Sequence, residues 1–288
     1  MFTHQQHFDH FQIHTLQDTA GNLLEVVPER GAIISRFEIA GQAVFYLDRD
    51  TLNDASKNIR GGNPVLFPIC GPLAGGNCQI NGNTYSMKQH GFARNLPWQV
   101  VEKDIQENHA SISLELKSSD ITLAQYPFDF LVRLTYKITA KGLVIDQKYE
   151  NLSQEKMPFY AGFHPYFVAP EKSAVELFVA ANEYNDFLTG TKKAIEPVVN
   201  FEQVPEVNGA FHNVKENRVR FSNFGLGRAI EITFEPPYKH VVIWGLKDKP
   251  FICVEPWMGL NNSLNTGESV FYLESGSALE TSVAFNVD

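Results

Sequence analysis

Cysteine is scarce in this 288-residue chain, and long apolar runs, helical periodicity and an excess of positive charge are missing. The three cysteines, Cys70, Cys78 and Cys253, cannot all pair within one chain, and their spacing fits no zinc knuckle. Reduced, partly buried thiols are expected, with no disulfide framework. No window approaches the ~20 apolar residues of a membrane-spanning helix. The opening stretch MFTHQQHFDHFQIHTLQ has no basic segment leading into an apolar one, so it does not read as a signal peptide. A cytoplasmic protein without a membrane partner is the expectation. The formal net charge of −9 leaves no basic face for nucleic acid or anionic lipid. No G-x-S-x-G, phosphate-cradling Gly-Lys-Ser/Thr or H-E-x-x-H is found, so a serine nucleophile, a P-loop and a zincin helix have no local support. His4, His7, His10 and His14 read as an exposed tail or edge strand able to bind metal adventitiously.

What the chain does have is period-2 alternation and aromatic side chains. Ala110, Ile112, Leu114 and Leu116 alternate with Ser111, Ser113, Glu115 and Lys117. Val132, Leu134, Tyr136 and Ile138 repeat the pattern, and after a turn at 140–142 so do Leu143, Ile145, Gln147 and Tyr149, which predicts a β-hairpin. Further strands are expected at AVELFVA, RAIEITFE, HVVIWGL, PFICVE and TSVAFNV, with short helical turns at DRDTLND and after Trp257. No linker or repeat divides the sequence. The fold class that follows is all-β, a single large antiparallel β-sandwich over 1–288 with few short helical turns.

Four clusters interrupt the alternation. In NIRGGNPVLFPICG, Arg60 precedes a Gly-Gly pair that permits positive φ or close backbone approach. Its guanidinium would suit an anion or a hydroxyl, or lie on the surface beside a tight turn. In QHGFARNLPW, His90 and Arg94 are either ligand donors or loop braces. In PFYAGFHPYF, alternation sets His164 and Tyr166 opposite Phe163, Pro165 and Phe167, and Pro165 places the run at a strand end or bulge, where sheets re-aim side chains. In PFICVEPWMG, Glu255 closes an apolar strand before Pro and Trp. Burial there would raise its pKa and suit it to general base work, whereas a strand-terminal Glu can equally face solvent. Asp186 and Glu255 as paired carboxylates would point instead to glycoside hydrolysis. A metal held by His90, His164 and Glu255 is chemically sound but has no support in local spacing.

Taken in order, IRGGNPVLFP, QHGFARNLPW, FHPYF, YNDFLTG and FICVEPW resemble the aldose 1-epimerase (mutarotase) superfamily, with the strongest likeness to its hexose-6-phosphate branch. The resemblance runs over residues 59–257. It implies a galactose mutarotase-like sandwich acting on a free or 6-phosphorylated hexose, with no metal and no cofactor, as a monomer or weak homodimer. It further implies His164 as the acid toward the ring oxygen and Glu255 as the base toward the C1 hydroxyl. Arg60, His90, Arg94 and Asp186 would hold the substrate. The sequence departs from the branch in a Gly-rich insertion after the first motif, in Asn63, and in a thin supply of basic residues around Arg60 and Arg94. The alternative in another functional class is a carbohydrate-binding sandwich without catalysis.

Overall fold

In the computed structural model, which describes residues 1–288 apart from Asn182 and Ile195, strands pair antiparallel throughout two large sheets and a smaller N-terminal one. A nine-stranded sheet holds the predicted hairpin at its heart. Phe130–Thr139 runs into Gly142–Asn151 with Thr139 opposite Gly142, flanked by His109–Lys117 on one side and Ala278–Val287 on the other. An eight-stranded sheet is ordered through Glu183–Asp186, Glu206–Phe211, His240–Leu246 and Phe251–Trp257 to Gly162–Phe163 and Val65–Leu66. The expected helical turns are Arg49–Asn53 and Ser263–Thr266. Among the described residues no helix is long and apolar enough to cross a membrane.

The core lies where the two large sheets face each other, and alternation selects its side chains. Phe167, from the eight-stranded sheet, meets Phe221 of the nine-stranded sheet at 4.8 Å between ring centroids. Phe45 bridges Phe167 and Phe285 at 5.5 and 5.9 Å. Such edge-on aromatic pairs are worth about 0.5–1.5 kcal/mol each beyond the area they bury. Gln147 occupies an inward position and is buried, yet its Oε1 accepts from both Tyr149 and Tyr238 hydroxyls, at 2.8 and 2.6 Å. A satisfied amide costs the core little.

One strand departs from the expected half-exposed pattern. Ser111, Ser113 and Glu115 sit on the polar face of His109–Lys117 but are buried, because the N-terminal strands Phe2–Asp9 and Phe11–Asp18 pack across it. Glu115 is paired there with Arg133. The N-terminal histidines lie on the hairpin those strands form, the first of them on the edge strand of the five-stranded sheet.

The outer face of the eight-stranded sheet carries Glu255. Residues directly opposite in neighbouring strands share a face, and the register Glu255↔Val242↔Ala210↔Asn185 runs across four strands. Glu206, Asn208, Trp244, Cys253 and Trp257 have the same parity and lie on that face.

Candidate active site

Backbone geometry fixes the four clusters around one cleft. Gly61 and Gly62 have φ of +139° and +61°, and a Cβ on either would fall 2.5 Å from Leu47 Cα or 2.3 Å from Ile34 O. The Gly-Gly pair thus threads between the strand Ile33–Ile39 and the segment at Leu47, and delivers Arg60 to the cleft rim. His90 itself has φ of +68°, a left-handed conformation that costs a non-glycine residue of order 1–3 kcal/mol. A reciprocal pair of bonds holds it: His90 N donates to Gly71 O at 3.0 Å, and Gly71 N donates to His90 Nδ1 at 3.0 Å. Because Nδ1 accepts, the imidazole proton sits on Nε2. Pro165 separates the short strands Gly162–Phe163 and Tyr166–Val168, and His164 occupies the gap, anchored by its N–H to Pro64 O at 3.1 Å.

The cleft these segments enclose has a volume of about 460 Å³ and is lined by Arg60, His90, Arg94, His164 and Glu255, together with Trp244 and Trp257. His164 Nε2 stands 3.5 Å from Glu255 Oε1, and Trp257 Nε1 donates to Glu255 Oε2 at 3.1 Å. The His164 ring stacks on Tyr166 at 4.9 Å, and His90 meets His164 and Trp257 edge-on, each at 5.6 Å. Arg60 lies over the Trp244 ring at 5.3 Å, an attraction between guanidinium and ring face. Arg94 donates from Nη2 to Gln89 O at 3.0 Å, and its Nε is buried without a hydrogen-bond partner among the described residues, as is His164 Nδ1.

Asp186 is not brought into this cleft. It pairs with Gly209, one step out of phase with Asn185 and Ala210, so its side chain leaves the opposite face of the sheet. There it accepts from Leu188 N and Thr189 N, pairs with Lys193, and lines a separate cavity of about 560 Å³. Its neighbour Phe187 lines the cleft instead. An Asp186 and Glu255 carboxylate pair is therefore split by the sheet. Sequence reasoning did not single out Trp244, Asn208 or Glu206, which takes hydrogen bonds from Trp244 Nε1 and Asn208 Nδ2 at 2.8 and 3.1 Å. Their alternation with Val207 and Gly209 looks the same as that of an ordinary solvent face.

Burial drives both members of the central pair toward neutrality. It raises the Glu255 carboxyl well above the usual carboxylate range, outweighing the opposing pull of the Trp257 hydrogen bond and the Arg94 charge. Burial, followed by the Arg94 charge, lowers His164 to about 3. His90 is likewise held neutral by burial, with Arg94 and His164 contributing. Both shifts favour the neutral forms, a carboxyl that keeps its proton on Glu255 beside an unprotonated His164. These shifts act on stability with opposite signs. The raised Glu255 carboxyl keeps its proton in the fold at pH values where the unfolded chain has lost it, so from the unfolded value of about 4.5 upward this group makes stability decline as pH rises. Below 6.5 the unfolded chain protonates histidines that the fold keeps neutral, His14, His90, His164 and His240, so stability declines as pH falls. As pH rises from about 4.5 toward neutrality, the urea midpoint is expected to climb as the unfolded histidines lose their protons, and to climb more steeply in Glu255→Gln, which lacks the opposing carboxyl contribution. Parallel slopes would contradict a protonated Glu255.

The family model described as Aldose 1-epimerase matches residues 12–280. The Slr1438 protein from Synechocystis sp. PCC 6803 superposes with a TM-score of 0.94 at 37% identity, over 97% of this chain and 96% of that one. A galactose mutarotase-like protein from Clostridium acetobutylicum shares the fold with a TM-score of 0.85 at 18% identity, over 100% of this chain and 98% of that one. The protein LacX of Lactococcus lactis subsp. lactis is 24% identical over 231 residues, 71% of this chain and 76% of LacX.

Proposed function

The chain belongs to the aldose 1-epimerase family, and from that premise we propose that it interconverts the α and β anomers of a free or 6-phosphorylated hexose. The observation that carries this reading is the buried His164 and Glu255 pair, 3.5 Å apart in a polar cleft, where burial favours a neutral carboxyl that shares its proton with a neutral imidazole. Mutarotation needs one acceptor for the O1 proton and one donor for O5. Transfer of the shared proton from Glu255 to His164 creates both at once. The O1 hydroxyl donating to the carboxylate, with Arg94 nearby, favours that form. Glu255 then removes the O1 proton, the C1–O5 bond breaks, and His164 protonates O5 to leave an open-chain aldehyde. Rotation about C1–C2 presents the other carbonyl face, and the same transfers in reverse close the ring. Atoms and charge balance without a covalent intermediate.

His90 Nε2–H and Arg94 are placed to donate to sugar oxygens, and Trp244 and Trp257 supply apolar faces. Arg60, exposed at the rim on Trp244, is assigned to the phosphate of a 6-phosphorylated substrate. Arg60→Ala is expected to raise KM for such a substrate by roughly 10–100-fold, as loss of a charge-assisted hydrogen bond does, and to leave KM for the free hexose nearly unchanged. Equal KM changes for the two substrates would remove Arg60 from the phosphate role. Polarimetry on freshly dissolved α-glucose, α-galactose and glucose 6-phosphate tests the activity itself.

A further inference from the structure

We propose that His164, Cys253 and Glu255 together form a binding site for a thiophilic divalent cation, Zn²⁺ or Cd²⁺, whose occupancy shuts off the acid and base of the cleft. The binding rests on geometry alone; the inhibition rests on the mutarotase reading.

Cys253 and Glu255 are two residues apart on Phe251–Trp257 and so project from one face. Tyr166 and Trp244 both pair with Cys253 and share its face, where the Cys253 side chain is fully buried near the His164 imidazole stacked on Tyr166. One ligand atom from each of His164, Cys253 and Glu255 lies within 4.8 Å of the other two. Ligands bound to tetrahedral zinc at ~2.0–2.3 Å stand about 3.3–3.8 Å from one another. The 3.5 Å edge between His164 Nε2 and Glu255 Oε1 already meets that spacing, and the thiol edges, within 4.8 Å, would need to shorten by at most about 1 Å.

The donor set selects the metal. A thiolate with an imidazole favours Zn²⁺ or Cd²⁺ over Mg²⁺ or Ca²⁺. Binding releases the thiol and carboxyl protons, and the resulting thiolate and carboxylate neutralise the dication. The His164 imidazole offers a ring-nitrogen lone pair as the third ligand. Trp257 Nε1–H on Glu255 Oε2 supplies the outer hydrogen bond that orients a ligating carboxylate. Three protein ligands leave the fourth position toward the cleft, where water or a sugar hydroxyl can complete it. A metal there occupies both proton-transfer groups.

Optical titration of the purified full chain with Co²⁺ tests this. The expected result is one equivalent bound with a near-ultraviolet thiolate-to-cobalt absorption that Zn²⁺ displaces. Cys253→Ser and Cys253→Ala should abolish the band, and Zn²⁺ inhibition of hexose mutarotation should weaken roughly tenfold or more, as loss of a ligand costs at least what loss of its outer partner does. Cobalt binding without a thiolate band, as at the His4 and His14 pair on the N-terminal hairpin, would overturn the proposal. So would a band that survives in the Cys253 variants, or equal zinc inhibition with and without the thiol. If the Cys253 variants do not fold, His164→Gln keeps all three thiols, and an unchanged band in it overturns the proposal while a lost band supports it. If no aldose is turned over, the wild-type band still decides the metal site, and only the proposed function falls.

Discussion

Glu255→Gln is expected to lower kcat for hexose mutarotation about 10²–10⁴-fold, the usual worth of a positioned acid or base, with little change in KM. The amide keeps the shape of the carboxyl and an oxygen able to accept from Trp257 Nε1, so sugar binding survives. It carries no transferable proton and takes none from O1. His164→Gln should cost about as much, since ring opening stalls when O5 cannot be protonated. The two residues act on one proton across a 3.5 Å contact, so the double variant should be scarcely slower than either single one. Losses that multiply would mean that the two groups work independently. A Glu255→Gln protein with undiminished kcat would leave a carbohydrate-binding sandwich as the better account. Initial rates of anomeric interconversion at several hexose concentrations separate kcat from KM and decide between them.

Phe67→Ala is expected to lower folding stability by about 3–5 kcal/mol, the cost of emptying a large buried aromatic site. Phe67 is fully buried and lies within 6.2 Å of the Phe92, Tyr126, Phe130, Tyr149 and Phe159 rings, measured between centroids. These come from separate strands and loops, so no single movement refills the space. Through its backbone the same residue supports the loop that carries His90 and Arg94. Its carbonyl accepts from Phe92 N and Ala93 N at 3.0 and 3.2 Å, and Gly91 sits so near that a Cβ there would be 2.2 Å from that oxygen. Backbone bonds persist in the variant, so kcat of the folded fraction should change far less than stability. Urea denaturation checks the first expectation, and rates well below the unfolding transition check the second. A stability loss under about 1 kcal/mol would show that the cluster repacks.

Alternation made the strands readable, and at PFYAGFHPYF it also separated His164 and Tyr166 from the buried Phe163 and Phe167, as the structure places them. Pro165 marked the break between two short strands where the histidine emerges. Asp186 shows where single-chain reasoning ends. Its motif gave its order in the chain, but its face depends on register with Glu206–Phe211, which no local pattern encodes. Glu206 and Asn208 were hidden for the same reason, since a polar side chain over a cleft and one over solvent alternate alike. The burial of Ser111 and Ser113 depends on which strands cross above them, a property of topology and not of their own segment. The Arg60 and Gly-Gly pairing was legible because glycine is demanded by backbone contacts of 2.3–2.5 Å that any side chain would violate.

The most direct test of the central claim is the rate at which freshly dissolved α-glucose, α-galactose and glucose 6-phosphate reach anomeric equilibrium with and without the protein. At least one of them is expected to equilibrate faster with the wild type, and the gain to vanish in both His164→Gln and Glu255→Gln. Equal rates with and without protein for every aldose tried, or a gain that survives in both variants, would contradict it.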